Sequence, residues 1–180
     1  EDSVLFIGNR TFSQWETLEA DMAPLPVLDR SYRVMRMKEV RIFADFFARY
    51  RARTIVLYGG ENDLRAEYSI DHYERDVTGF VREIHRVRPD TRILVLSPKP
   101  SPHHWKYFGL YQRTGAKLKA FAEETPKVDF VDMTDVFLNE AGKPDETLYE
   151  SDGRTLNAAG YRALKDLLRS ALRLPDPDTP

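Results

Sequence analysis

The chain has 180 residues, 42% of them hydrophobic and 31% charged, the make-up of a soluble globular protein with a full core. A formal net charge of -2 gives no pointer to nucleic acid or an anionic membrane, and no apolar run approaches the length of a transmembrane helix. There is no cysteine, which excludes disulfides, a cysteine nucleophile and thiolate metal sites and leaves the redox compartment open.

Strand-like and helix-like segments alternate along the chain. Residues 4–7 (Val-Leu-Phe-Ile) form a short apolar run stopped by Gly8, which reads as a buried strand. A short amphipathic piece over 12–22 follows and is broken by Pro24 and Pro26. Val27 and Leu28 make a brief second strand that runs into Asp29, Arg30, Ser31, Tyr32 and Arg33. Over 36–51 the apolar residues Val40, Phe43, Phe47 and Tyr50 fall on one helical face. Residues 54–58 read as a third strand, ended by Gly59 and Gly60, and 70–88 as a helix with Val77, Phe80, Val81 and Ile84 inward. A fourth strand over 92–96 closes at Ser97, Pro98, Lys99 and Pro100; a helix over 105–124 and a fifth strand over 128–131 follow. After a loop through Asp152 and Gly153, Asn157 is a good N-cap for the last helix, with Leu164, Leu167, Leu168 and Leu172 on its buried face. The end of the chain, 175–180, rich in Pro and Asp, reads as a disordered tail or linker, leaving 1–174 as the domain.

This alternation predicts an α/β fold: a flavodoxin-like three-layer sandwich with a five-stranded parallel sheet and helices on both faces. Ligands of such sheets bind outside the carboxyl ends of the strands, so the turns after the strands carry the functional expectations. The first turn reads Gly8-Asn9-Arg10, and the side chain two residues after the glycine points into the crevice. The third reads Gly60-Glu61-Asn62-Asp63, and the last loop Asp152-Gly153-Arg154-Thr155-Leu156-Asn157.

In these blocks the chain resembles the SGNH/GDSL hydrolases of the lysophospholipase and acetylhydrolase-like kind, whose fold is the one that periodicity predicts. The resemblance covers nearly the whole chain, including Ser97 to Pro102, which is similar to a Lys-Pro-Ser-Pro segment of one bacterial subgroup. It implies that Gly8 matches the first block, that Asn9 is a tolerated variant and that Arg10 stands at the nucleophilic serine. It implies that Asn62 is the oxyanion amide and that Asp63 completes its Gly-x-Asn-Asp signature. It implies that Asp152 is the triad carboxylate and that Thr155 stands at the histidine, where a threonine cannot act as base. The glycines that the family carries after its second strand are absent: that turn reads Asp29-Arg30-Ser31-Tyr32-Arg33-Val34, with Ser31 and Arg33 both open as the replacement of the oxyanion glycine.

The sequence therefore predicts a catalytically inactive hydrolase-like domain acting as a binding or structural module. The alternative is an atypical esterase, lipase or carbohydrate deacetylase with a relocated nucleophile. Ser13 lies a helical turn past the elbow, and Thr11 is expected to face the sheet. Of the four histidines only His103 and His104 fall near the crevice rim, and adjacent residues are expected to diverge, which speaks against a metal site. The expected crevice comprises Asn9, Arg10, Arg33, Asn62, Asp63, Asp152 and Arg154, with no metal or cofactor. Its three arginines suit a small anionic ligand, although solvation or pairing with Asp29, Asp63 or Asp152 is the plainer reading. An acylated ligand and a protein partner remain open, and nucleic acid does not. No signal peptide is present; a start almost directly on a strand is compatible with a trimmed leader, so a cytoplasmic and an exported protein are both consistent. If Asp152 lies on the crevice floor, Arg10 is placed to neutralise it.

Overall fold

The computed structural model describes residues 3–65 and 69–174; the expected tail over 175–180 lies outside them. Five parallel strands, β1 (Val4–Ile7), β2 (Val27–Asp29), β3 (Thr54–Leu57), β4 (Arg92–Leu96) and β5 (Val128–Val131), form one sheet in the order β2-β1-β3-β4-β5. The register is regular at the centre, with Val4 opposite Thr54 and Ile7 opposite Leu57 across β1 and β3. Each strand is nearly all apolar because both faces are covered. Alternate side chains divide the core in two. Leu5, Ile7, Ile55, Leu57, Ile93 and Val95 point to one face, and Val4, Phe6, Val56, Leu94 and Leu96 to the other.

The first face is covered by α3 (Met37–Ile42), α4 (Ala44–Ala48), α6 (Ile70–Val87) and α7 (Phe108–Glu124). The second is covered by α1 (Arg10–Ser13), α2 (Leu18–Asp21) and α8 (Ala158–Leu172). A further short helix, α5 (Glu61–Arg65), directly follows β3. Val77, Phe80, Val81 and Ile84 of α6 are fully buried, as their spacing predicts. Full burial of side chains of this size contributes roughly 1.5–3 kcal/mol each. Asn157 caps α8, its side chain accepting from the backbone N–H groups of Ala159 (2.9 Å) and Gly160 (3.1 Å).

Three local expectations are corrected. The stretch expected as one helix over 36–51 is two, because the backbone bends at Phe43. The bend turns Ala44 and Phe47 inward and leaves Phe43 58% exposed, against the expectation from periodicity alone. The amphipathic piece over 12–22 is two short helices, with the buried Trp15 between them donating from Nε1 to Asp21 Oδ2 at 2.7 Å. The helix expected from Trp105 begins with a 3-10 turn, Trp105–Tyr107. No helix among the described residues is long and apolar enough to cross a membrane.

Candidate functional site

A crevice of roughly 90 Å3 opens where the turns after the strands converge. Asn9, Arg10 and Thr11 come from the turn after β1, Arg33 and Val34 from the turn after β2, and Glu61 and Asn62 from the start of α5. His104 comes from the segment after β4, and Arg154 from the loop before α8. The crevice thus sits at the point where strand order reverses between β1 and β3, the usual ligand position in open α/β sheets.

Its floor is a buried polar network. Asn9 caps α1: its Oδ1 accepts from Thr11 N–H at 3.1 Å, and its amide donates to Glu61 Oε2. The Tyr58 hydroxyl donates to the other Glu61 oxygen. Glu61 is only 7% exposed, so both carboxylate oxygens are held by neutral donors, as a buried charge requires. Burial, with Glu61 beside it, holds the Tyr58 phenol well above its ordinary range; a hydrogen bond from Thr11 acts in the opposite sense. Gly60, with φ of +110°, allows the tight turn that brings Glu61 under the crevice.

Asn62 donates its amide to the Met35 carbonyl at 3.1 Å, tying the third turn to the second. Asp63 points away from the crevice. It is 2% exposed and its Oδ1 accepts from the Met37 N–H at 2.9 Å, at the start of α3. Its Oδ2 is buried without a hydrogen bond. Burial pushes the Asp63 carboxyl up to about 6, against the downward pull of the Met37 N–H.

Asp152 differs most from expectation. It lies at the surface rather than on the crevice floor, and its partners are its own neighbours. Oδ1 accepts from the backbone N–H groups of Arg154 (3.0 Å) and Thr155 (2.8 Å); Oδ2 accepts from the Thr155 hydroxyl (2.7 Å) and Arg154 Nε (3.2 Å). Partial desolvation works the other way, but these four donors together hold the carboxyl far below its usual range. The expected Arg10–Asp152 ion pair is not found among the described residues. The turn satisfies its own carboxylate, so no remote cation is required.

Of the expected crevice residues, Asn9, Arg10, Arg33, Asn62 and Arg154 line it; Asp63 and Asp152 do not. Arg33, not Ser31, reaches the crevice from the second turn, with Val34 beside it. Thr11, 8% exposed, also lines the wall. His103 and His104 do not diverge: their rings meet edge to face at 4.8 Å, and His104 joins the wall. Among the described residues no group of three His, Asp or Glu side chains is placed to hold a metal ion.

Two further residues belong to the site and carry no expectation from the sequence, Glu61 and Lys99. Glu61 was visible only as the variable residue of Gly60-Glu61-Asn62-Asp63. Lys99 is 1% exposed, its ammonium 4.6 Å from the Tyr149 ring centre, 5.6 Å from that of Phe137, and 3.5 Å from the Arg154 carbonyl. Burial pushes it down to about 8, with Glu61 and Asp152 partly offsetting the shift. A lone lysine between two prolines directly after an apolar strand was the signal available in the sequence.

The chain belongs to the GDSL-like lipase/acylhydrolase family, whose model matches residues 2–163. A search of curated proteins finds no significant match. Among solved structures, a GDSL-like lipase from Bacteroides thetaiotaomicron superposes with a TM-score of 0.81 at 16% identity, over 96% of this chain and 88% of that one. An acetyl-xylooligosaccharide esterase from Geobacillus, in a mutant form, gives 0.80 at 14% identity, over 99% and 97%. The catalytic domain of a peptidoglycan O-acetyltransferase from Streptococcus pneumoniae gives 0.70 at 16% identity, over 96% and 93%. At these identities the likeness is one of fold.

Proposed function

We propose that the protein is a catalytically silent member of its family, a binding or structural module on the hydrolase scaffold. The observation that carries this reading is that no serine lines the crevice among the described residues. Thr11 is the one hydroxyl side chain among its nine described lining residues, and it is 8% exposed. Arg10 stands at the position that the family resemblance gives to the nucleophile, and Thr155 bonds Asp152 where a histidine would. The second turn contributes the side chains of Arg33 and Val34 where the family has glycines. Two observations favour the second reading, an atypical esterase or carbohydrate deacetylase: His104 and Glu61 both line the crevice beside Asn62.

The two readings separate in one assay. The protein is offered short-chain nitrophenyl esters and acetylated xylo-oligosaccharides, the latter suggested by the activity of one structural neighbour, and is treated with a serine-reactive fluorophosphonate. The expected outcome is no labelling and no turnover above buffer. Oxyanion donors and binding alone leave a residual acceleration on the order of a thousandfold in well-studied hydrolases lacking their triad, and the altered second turn should give less. The double substitution Arg10→Ser with Thr155→His is expected to stay inactive for the same reason. Turnover that disappears on His104→Ala or Glu61→Gln would refute the silent reading and establish the second.

A further inference from the structure

Resting on the reading of the crevice as a binding site, we propose that its ligand carries an oxyanion: a phosphate, sulfate or carboxylate group gripped by Arg10, Arg33 and Arg154. These three arginines come from three separate turns and line one small cavity, together with the imidazole of His104 and the amide of Asn62. Guanidinium groups converging from different segments can surround an oxyanion, each offering paired donors.

Arg33, and the Nη edge of Arg154, are not taken up by any acid among the described residues. Among the described residues Glu61 is the one acid lining the cavity, and its oxygens are held by Asn9 and Tyr58. Asp152 takes only the Nε of Arg154. Arg33 forms no ion pair among the described residues and is exposed. The lining also disfavours an acyl chain, since Val34 is the only apolar side chain among the nine described lining residues.

The segment that brings Arg33 to the crevice is itself basic. Between Arg30 and Arg53 the chain carries eight Lys or Arg residues against two acids, in a protein of net charge -2. All eight are exposed.

The test is a titration of the full chain, followed by NMR, with inorganic phosphate in one arm and acetate in another. Sodium chloride at matched ionic strength is the reference. Saturable shifts of the Asn62 side-chain amide and of arginine Nε–H signals are expected with at least one of the two anions and not with chloride. Preference for phosphate identifies a phosphate- or sulfate-bearing ligand; preference for acetate identifies a carboxylate. Arg33→Ala and Arg154→Gln are each expected to weaken binding about tenfold, the loss of one charge-assisted contact. Arg49→Ala, an exposed arginine outside the crevice, should leave binding within twofold. No saturable shift with either anion would overturn the proposal, as would equal weakening by Arg49→Ala. The wild-type spectra decide the matter even if a crevice variant fails to fold. Ester turnover would refute the silent reading while leaving this one standing, and absent anion binding would do the reverse.

Discussion

Lys99 shows how much a single side chain can cost where it is placed. It is fully buried against Tyr149 and Phe137, and its folded-state value of about 8 lies below the ordinary lysine range near 10.5. A lowered lysine favours the neutral form in the folded protein. Its penalty is therefore absent above about pH 10.5, grows as pH falls towards 8, and is fully present at pH 7. The fall from 10.5 to about 8 corresponds to about 3 kcal/mol. Lys99→Met, similar in volume and needing no desolvated charge, is expected to stabilise the protein by up to about 3 kcal/mol at pH 7. The gain should fall below about 1 kcal/mol near pH 10, as read by urea unfolding at the two pH values. Equal effects at both would show that the ammonium carries no such penalty.

At the scale of elements, Asp63 joins two helices that are separate in sequence. It belongs to α5 yet accepts from the first N–H of α3, satisfying one of the donors that a helix start leaves open. Its second oxygen finds no hydrogen bond, and the carboxyl is pushed up to about 6. A raised aspartate favours the protonated form in the folded state. Its ionisation costs nothing below about pH 4, and the cost grows through pH 6 to about 3 kcal/mol at most. Asp63→Asn keeps an oxygen for Met37 and removes the charge. It should raise the unfolding free energy at pH 8 and leave it unchanged at pH 4. If the variant is less stable at pH 8, the carboxylate is a better cap than its burial implies.

Across the whole molecule, residues distant in sequence meet to close the layer on the α8 side of the sheet. Arg169 on α8, 7% exposed, donates from Nη1 to the carbonyls of Asp21 (2.8 Å) and Ala23 (2.9 Å). The Tyr161 hydroxyl donates to the Thr11 carbonyl at 3.0 Å, and its ring packs 5.4 Å from that of Trp15. These contacts bind α8 to the segment that carries Asn9, Arg10 and Thr11 into the crevice. Arg169→Leu removes two charge-assisted bonds and strands two carbonyls, so a loss of about 2–3 kcal/mol is expected. Arg173→Ala, at the exposed end of the same helix, should cost a few tenths at most. Comparable losses in chemical denaturation would assign the effect to helix propensity rather than to the tie.

The strands and their order follow from the sequence, because four- and five-residue apolar runs separated by helical periodicity leave a parallel sheet few alternatives. The same runs mark where the crevice lies, and the turn residues Asn9, Arg10, Arg33, Asn62 and Arg154 were legible there because they directly follow strands or precede the last helix. Other features needed the folded chain. The Phe43 bend decides that Ala44 faces the core, a choice that periodicity alone cannot make. Asp152 satisfies itself through its own turn, since backbone N–H groups two and three residues ahead reach it more readily than any arginine across the crevice. Glu61 and Lys99 acquire their roles only from the residues that tertiary packing stacks around them. A charge's cost and its partners depend on burial and on neighbours brought from elsewhere in the chain, and neither is a property of local sequence.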